Sequence, residues 1–216
     1  MKTSLIRTLF LTTLVATQIS GCAVVAVGGV AASATIMADR RTPAVQAIDK
    51  GIELEAENAL AKRFGDNAHI NVTAFNQKVL LTGEVKDDDI KNEAGAYVKA
   101  MKNARSVFND LVIGPNSTYT SRANDSYLES KIKSQMIFTD QLPSNSMAII
   151  AEGSSVYLMG ILTQSEAELA KKVASNTSGV KEVFVYFDII SQEEKMRLEK
   201  QGKADQTQPS SPPKFQ

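Results

Sequence analysis

The sequence predicts an α+β protein in which one α-β-β-α-β module occurs twice. The first observation is an internal repeat. The segment 79–83 (VLLTG) returns at 156–160 (VYLMG), and 107–113 (VFNDLVI) returns at 183–189 (VFVYFDI), at an offset of 76 or 77 residues. The second observation is that helical and strand spacing of apolar residues follow one another in the same order in both copies.

The first copy opens with apolar residues every fourth position, which predicts one buried face of a helix. These residues are Ile52, Ala56, Leu60 and Phe64. Alternating apolar residues over 70–74 and a second apolar run over 79–82 predict two strands, and Asn76-Gln77 between them predicts a two-residue hairpin turn. The module therefore begins as a helix followed by a β-hairpin.

Three consecutive carboxylates, Asp87 to Asp89, stand before the second helix of this copy. Negative side chains at a helix N-terminus are stabilised by the helix macrodipole, so we interpret the run as a solvated helix start. The alternative, a calcium site, lacks the spaced ligands and glycine of a calcium-binding loop. Residues 107–113 predict the third strand.

The second copy has the same predicted elements. A helix is predicted from Asp125, as its N-cap, to Met136, followed by a hairpin around Gly153-Ser154. The segment 163–166 (TQSE) has the pattern of a capping box and predicts the start of the next helix. Residues 183–190 predict the closing strand.

Gly83 and Gly160 each stand near the end of a predicted strand, where the chain turns towards a helix. Glycine tolerates the positive φ that such an exit often needs, so both are predicted to be structural. A phosphate-binding loop is the alternative, but the additional glycines and the lysine of such loops are missing.

The N-terminal 1–21 segment predicts a secretory signal peptide, with Lys2 and Arg7 before an apolar run of roughly 11 residues. The run ends in Ile19-Ser20-Gly21-Cys22, which resembles the bacterial lipobox. That resemblance implies lipid attachment to Cys22 and, with Ala at residue 23, retention in the outer membrane facing the periplasm. The alternative is an ordinary signal peptide with a chance cysteine. Residues 22–46 are predicted to be a lipidated tether.

Composition excludes several function classes. The chain has 24 basic and 24 acidic residues, so a general nucleic-acid binder is not expected. With one Cys and one His, neither a disulfide nor a cysteine- or multi-histidine-based metal site can form within the chain. His69 is interpreted as a surface or strand-edge residue. No nucleophile–base pair is recognisable, so the sequence predicts no enzyme, cofactor or metal.

These motifs together resemble the BON domain. Residues 70–73 (INVT), 78–83 (KVLLTG) and 107–113 carry the resemblance in the first copy, and 156–160 with 179–183 (GVKEV) carry it in the second. The resemblance implies two tandem domains, each with a three-stranded mixed sheet and two helices on one face. It assigns 47–114 and 124–191 to the domains and 115–123 to a linker. Residues 192–216 are predicted to be a disordered polar tail, in which 193–201 could extend as a charged helix.

The first helices of the two copies differ in charge. The helix of the first copy carries Glu53, Glu55 and Glu57, whereas that of the second carries Lys131 and Lys133. A stripe at helical spacing faces away from the predicted core of the second helix. It consists of Tyr127, Lys131, Ser134 and Phe138.

We therefore predict that this helix of the second copy contacts anionic phospholipid, with Tyr127, Lys131, Lys133, Ser134 and Phe138 as the contact residues. Resemblance to dual-BON outer-membrane lipoproteins implies phosphatidylglycerol and cardiolipin as ligands and a role in outer-membrane integrity. Two alternatives remain. The aromatic residues could pack against the other domain or the hairpin, or the domains could bind an envelope or peptidoglycan-associated protein partner.

Overall fold

The computed structural model describes residues 39–207. The predicted signal peptide, Cys22 and most of the predicted tether therefore lie outside the described residues, as does 208–216. The first module comprises α1 (Pro43–Phe64), β1 (Ala68–Phe75), β2 (Lys78–Val85), α2 (Asp88–Lys99), β3 (Ser106–Asn109) and β4 (Val112–Ile113). The second comprises α3 (Tyr119–Ile137), β5 (Met147–Glu152), β6 (Ser155–Leu162), α4 (Gln164–Ser175) and β7 (Glu182–Ile189), and α5 (Gln192–Thr207) follows.

Each module contains a mixed sheet, as the fold class predicts. In the first, β1 pairs antiparallel with β2, and β3 and β4 pair parallel with β2. In the second, β5 and β7 flank β6, antiparallel and parallel respectively. The hairpin turns are those predicted, since Asn76, Gln77, Gly153 and Ser154 all have φ between 53° and 69°.

The helices of each module cover one face of its sheet. Alternate strand residues such as Val79 and Leu81 pack under α1 and α2, and the second module repeats this arrangement under α3 and α4. The opposite sheet faces meet each other through Phe75, Leu80 and Tyr157, among others. Phe108 stacks on Tyr186 across this contact with ring centroids 4.2 Å apart. The two modules are therefore packed sheet to sheet, with their helices outward.

Asp125 is not a helix N-cap, contrary to the prediction. The helix begins six residues earlier, at Tyr119 after the N-cap Thr118, inside the predicted linker. Asp125 is buried, and its carboxylate accepts hydrogen bonds from the Gly153 and Ser154 amides at 3.1 and 3.0 Å. It therefore holds the hairpin turn against the helix. Asp49 does the same for the turn at Asn76-Gln77, at 2.8 and 2.7 Å.

Three further boundaries differ from prediction. Helix α1 begins at Pro43, within the predicted tether, because Thr42 caps it and proline suits its first turn. The third strand of the first module is interrupted between β3 and β4, although its register against β2 does not change. Residues 192–207, predicted to be mostly disordered, form α5, and Leu198 on this helix packs against the contact between the sheets.

The two structural glycines lie within strands rather than at strand ends. Gly83 has a φ of 110°, and a Cβ there would lie 2.0 Å from the carbonyl oxygen of His69. Gly160 lacks the predicted positive φ. A Cβ at Gly160 would instead lie 2.8 Å from the Ser146 carbonyl oxygen, so the close approach of another chain segment explains this glycine.

None of the helices in residues 39–207 combines the length and apolar character that crossing a membrane requires.

Candidate functional site

The candidate site is the outward surface of α3. Leu128, Ile132 and Met136 on one side of this helix are buried in the core of the second module. Thr118 starts the helix by accepting a hydrogen bond at its Oγ1 from the Ser121 amide, 3.2 Å away. Core packing and the cap thus fix which side chains α3 presents outward.

Tyr127 and Phe138 are 66% and 87% exposed, so neither is packed against the first module. Ser134 is exposed beside them. Lys131 lies along the same stripe, half-buried, and its Nζ donates a hydrogen bond to the Ser178 carbonyl at 2.9 Å. The predicted stripe therefore lies on one accessible surface. In the structure its aromatic residues do not pack against the other domain.

Tyr119 and Ile137 extend this surface and were missing from the sequence prediction. They are 88% and 50% exposed. Eighteen residues make about five helical turns, so the two side chains point in the same direction from opposite ends of α3. We call this set of outward side chains the α3 outer face. It consists of Tyr119, Tyr127, Lys131, Ser134, Ile137 and Phe138. Thr118, a strong N-cap residue, was the signal that could have placed Tyr119 on the helix.

Lys133 points away from the predicted stripe on α3, and its role as a phospholipid contact stays a prediction. Two helical positions separate it from Lys131, which turns it about 200° around the axis. Its Nζ donates a hydrogen bond to the Ser144 carbonyl. Burial lowers the pKa of Lys133, although the nearby carboxylates of Asp39 and Glu129 act in the opposite direction.

Lys133 instead lines an open groove of about 730 Å³ between the modules. Arg122 and Glu129 line it from α3, and His69 and Glu57 line it from the first module. Glu152 also lines the groove and accepts a hydrogen bond from Asn71 Nδ2 at 2.7 Å. Burial raises the pKa of Glu152; the Asn71 hydrogen bond opposes this shift and the charge of Glu84 adds to it.

A buried arginine just before α1, Arg40, binds the second module. The Arg40 guanidinium donates hydrogen bonds to both carboxylate oxygens of Glu166, at 2.7 and 2.9 Å, and to Glu199 of α5 at 3.0 Å. Lys195 of α5 lies 2.7 Å from Glu166. Burial alone would raise the pKa of Glu166, but the hydrogen bonds from Arg40, Lys195 and the Thr163 amide lower it to about 2. Glu166 therefore connects the segment before α1 with the helix α5 that follows the second module.

Arg40 also contacts the loop that follows α3. The backbone amide of Arg40 donates to Ser146 Oγ at 3.2 Å, in the loop whose Ser144 carbonyl binds Lys133. Asp39 is close enough to act on the charge of Lys133. The described chain thus starts next to the helix that carries the candidate surface.

Comparison with known proteins adds a family. The BON domain family model matches residues 48–115 and 124–188. The chain is 33% identical over 171 residues to outer membrane lipoprotein DolP of Haemophilus influenzae, covering 78% of this chain and 89% of the relative. It is 27% identical over 147 residues to a 21 kDa hemolysin of Actinobacillus pleuropneumoniae, covering 67% of this chain and 76% of that one.

Among solved structures, the chain is similar to CdsD, a structural protein of the type III secretion system of Chlamydia trachomatis. Sequence identity is 11%, the match covers 73% of this chain and 99% of that chain, and the TM-score is 0.29.

Proposed function

The chain belongs to the BON-domain family and, by its similarity to the DolP relative, is an outer-membrane lipoprotein with two such domains; from this premise we propose that it binds anionic phospholipid through the α3 outer face. The proposed function is non-enzymatic. The ligands would be phosphatidylglycerol and cardiolipin, and the consequence would be support of outer-membrane integrity.

The observation that carries the proposal is the exposure of large apolar side chains on one helix face. Tyr119, Tyr127, Ile137 and Phe138 are each at least half exposed. Aromatic rings with a polar end suit the headgroup layer of a membrane, and apolar side chains gain free energy when they leave water. A helix lying in the plane of a membrane surface would bury all four.

Charge supports the same orientation. Lys131 lies on the α3 outer face, whereas the outward surface of α1 carries the exposed carboxylate of Glu55. An anionic surface attracts a nearby lysine by about 1 kcal/mol and repels carboxylates. The second domain would therefore face the membrane and the first would face away.

The predicted tether is consistent with this arrangement. Sixteen residues separate Cys22 from Asp39. At about 3.5 Å per residue they can span at most about 60 Å, so a lipid on Cys22 would keep the second domain near the membrane surface.

Vesicle flotation of the mature chain without its lipid tests the proposal. We expect flotation with vesicles containing phosphatidylglycerol or cardiolipin and none with neutral phosphatidylcholine vesicles. Replacing both aromatic residues, Tyr127→Ala with Phe138→Ala, should weaken binding at least about tenfold, because more than 1.4 kcal/mol of apolar burial is lost.

The matched control replaces two exposed apolar residues of the first domain, Leu54→Ala with Ile113→Ala, which are 49% and 47% exposed. Binding should then be unchanged. If the aromatic double variant binds like the wild type, the proposal fails. Photocrosslinking from position 127 in whole cells separates the alternative: lipid adducts support the proposal, and one dominant protein adduct favours an envelope protein partner.

Membrane fractionation tests the anchor independently. The wild type should require detergent for extraction, and Cys22→Ala should be released without it. Cells carrying the Tyr127 and Phe138 double variant should become more sensitive to large antibiotics that the outer membrane normally excludes, which tests the role in membrane integrity.

A further inference from the structure

Three side chains of types that can bind a metal ion come together from three strands, and two of them, His69 and Glu152, line the groove between the two domains. His69 on β1 and Glu84 on β2 lie directly opposite each other in the strand register, and His69 Nδ1 is 3.2 Å from Glu84 Oε2. Glu152, the last residue of β5 in the second domain, completes the group. One ligand atom from each residue lies within 4.8 Å of the other two.

We propose that His69, Glu84 and Glu152 form a binding site for Zn²⁺ that bridges the two BON domains. This inference does not depend on the phospholipid-binding proposal, because the three residues lie on the strands and not on the α3 outer face.

The ligand chemistry fits zinc. Imidazole nitrogen and carboxylate oxygen are both zinc ligands, at about 2.0–2.2 Å from the ion. Atoms arranged tetrahedrally at that distance lie about 3.4 Å from one another, which is close to the separation of His69 Nδ1 and Glu84 Oε2. The Glu152 carboxylate oxygen, within 4.8 Å of the other two ligand atoms, would move inward to complete the set. The groove would supply a water as the fourth ligand.

The structure also orients the three ligands. Close packing of the Gly83 backbone on the His69 carbonyl fixes the position of His69, since a Cβ at residue 83 would lie 2.0 Å from that oxygen. The Ser117 amide donates a hydrogen bond to Glu84 Oε2 at 3.1 Å, and Asn71 Nδ2 donates one to Glu152 Oε2 at 2.7 Å. Such outer hydrogen bonds are typical of metal sites, where they hold the ligating carboxylates in place.

Bridging has a structural consequence. His69 and Glu84 belong to the first domain and Glu152 to the second, so an ion held by all three would tie the domains together at the rim of their sheet contact. Zinc should therefore raise the melting temperature of the whole chain, because a ligand that binds only the folded state stabilises that state.

The sole histidine of the chain makes the test direct. The probe is Zn²⁺ added to the full mature chain, without an affinity tag, in detergent micelles. We expect the single set of imidazole NMR resonances to shift to saturation at one equivalent and the melting temperature to rise. Glu152→Gln should weaken zinc binding at least about tenfold. Glu57→Gln, in the same groove but outside the group, should bind zinc like the wild type.

Metal-free melting temperatures of the variants show whether each still folds. Absorption of bound Co²⁺ gives a second measurement, with visible bands expected for the wild type and lost in Glu152→Gln and His69→Gln. Imidazole resonances that do not respond to Zn²⁺ overturn the proposal, because the group is then only a histidine–carboxylate contact. An identical response in Glu152→Gln overturns the bridging role.

Discussion

The two BON domains are built on the same buried plan but present different surfaces. In each, the first helix carries a buried aspartate, Asp49 or Asp125, that accepts hydrogen bonds from both amides of the hairpin turn. Outward from that shared core, α1 presents Glu55, whereas α3 presents aromatic residues and Lys131. The repeated positions therefore carry the fold, and the binding proposal depends on surface positions that differ between the two domains.

The domains also differ at the third residue of their second helix. Asp87 caps α2 by accepting a hydrogen bond from the amide of Ile90, whose own side chain is apolar. Thr163 caps α4 in the same way, but the capped residue is Glu166, whose carboxylate binds Arg40 and Lys195. The capping-box glutamate of the second domain therefore binds both the segment before α1 and the C-terminal helix α5.

The largest effect is expected from Gly83→Ala. Its positive φ is strained for alanine, and the new Cβ would clash with the His69 carbonyl, so we expect a loss of about 4 kcal/mol of folding free energy. Gly160→Ala should cost only about 1–3 kcal/mol, because it is an overpacking effect without positive φ. Urea unfolding measures both, and equal losses would contradict the distinction between the two glycines.

The next largest losses of stability are expected from replacing the two buried aspartates. Asp125→Ala leaves the Gly153 and Ser154 amides without their charged acceptor, and we expect a loss of about 3 kcal/mol. Asp49→Ala should cost at least as much, since it also removes the ion pair with Arg41. Denaturant melts of both variants test this, and a loss below 1 kcal/mol for either would show that the aspartate does not anchor its hairpin.

Low pH should weaken the ion pair between Arg40 and Glu166, which has no counterpart in the first domain. The pKa of Glu166 is lowered to about 2 from an ordinary value of 4.5. A lowered carboxyl pKa contributes stability above the unfolded pKa, and this contribution is lost as the pH falls from 4.5 through 2. The stability difference between wild type and Glu166→Gln should therefore shrink over that range in pH-dependent melts. A constant difference would rule out the Arg40–Glu166 pair as its source.

The smallest effect is expected from a single surface charge. Lys131→Gln should weaken binding to phosphatidylglycerol vesicles about fivefold at low salt, and the difference should fade as salt screens the charge. Lys50→Gln on the exposed surface of α1 is the matched control and should leave vesicle binding unchanged. A larger effect from Lys50 than from Lys131 would reverse the orientation we propose.

The sequence predicted the repeated parts well and the joining parts poorly. Local patterns were sufficient for the helices, the hairpin turns and the mixed sheets. The first turns of α1 and α3 were missed because none of their side chains is buried, so neither turn continues the apolar periodicity of the helix that follows. Asp125 was assigned to a cap, although it shares a helix face with Leu128 and Ile132 and could have been recognised as a buried residue.

Contacts between distant segments were not predictable from local patterns. Arg40 and Glu166 are separated by 126 positions, and Lys133 was grouped with Lys131 because a charge count ignores the helical direction of each side chain. The meeting of His69 with Glu152 depends on how the two sheets pack, which no pattern within either repeat describes.

The most direct test of the central claim uses the absence of tryptophan from the chain. Tyr127→Trp on α3 and Leu54→Trp on α1 each introduce one fluorescent reporter into an exposed position. We predict that phosphatidylglycerol vesicles shift the emission of the Tyr127→Trp protein to shorter wavelength and that brominated lipids quench it, while Leu54→Trp does not respond. An unresponsive reporter on α3, or an equal response from α1, would contradict the account.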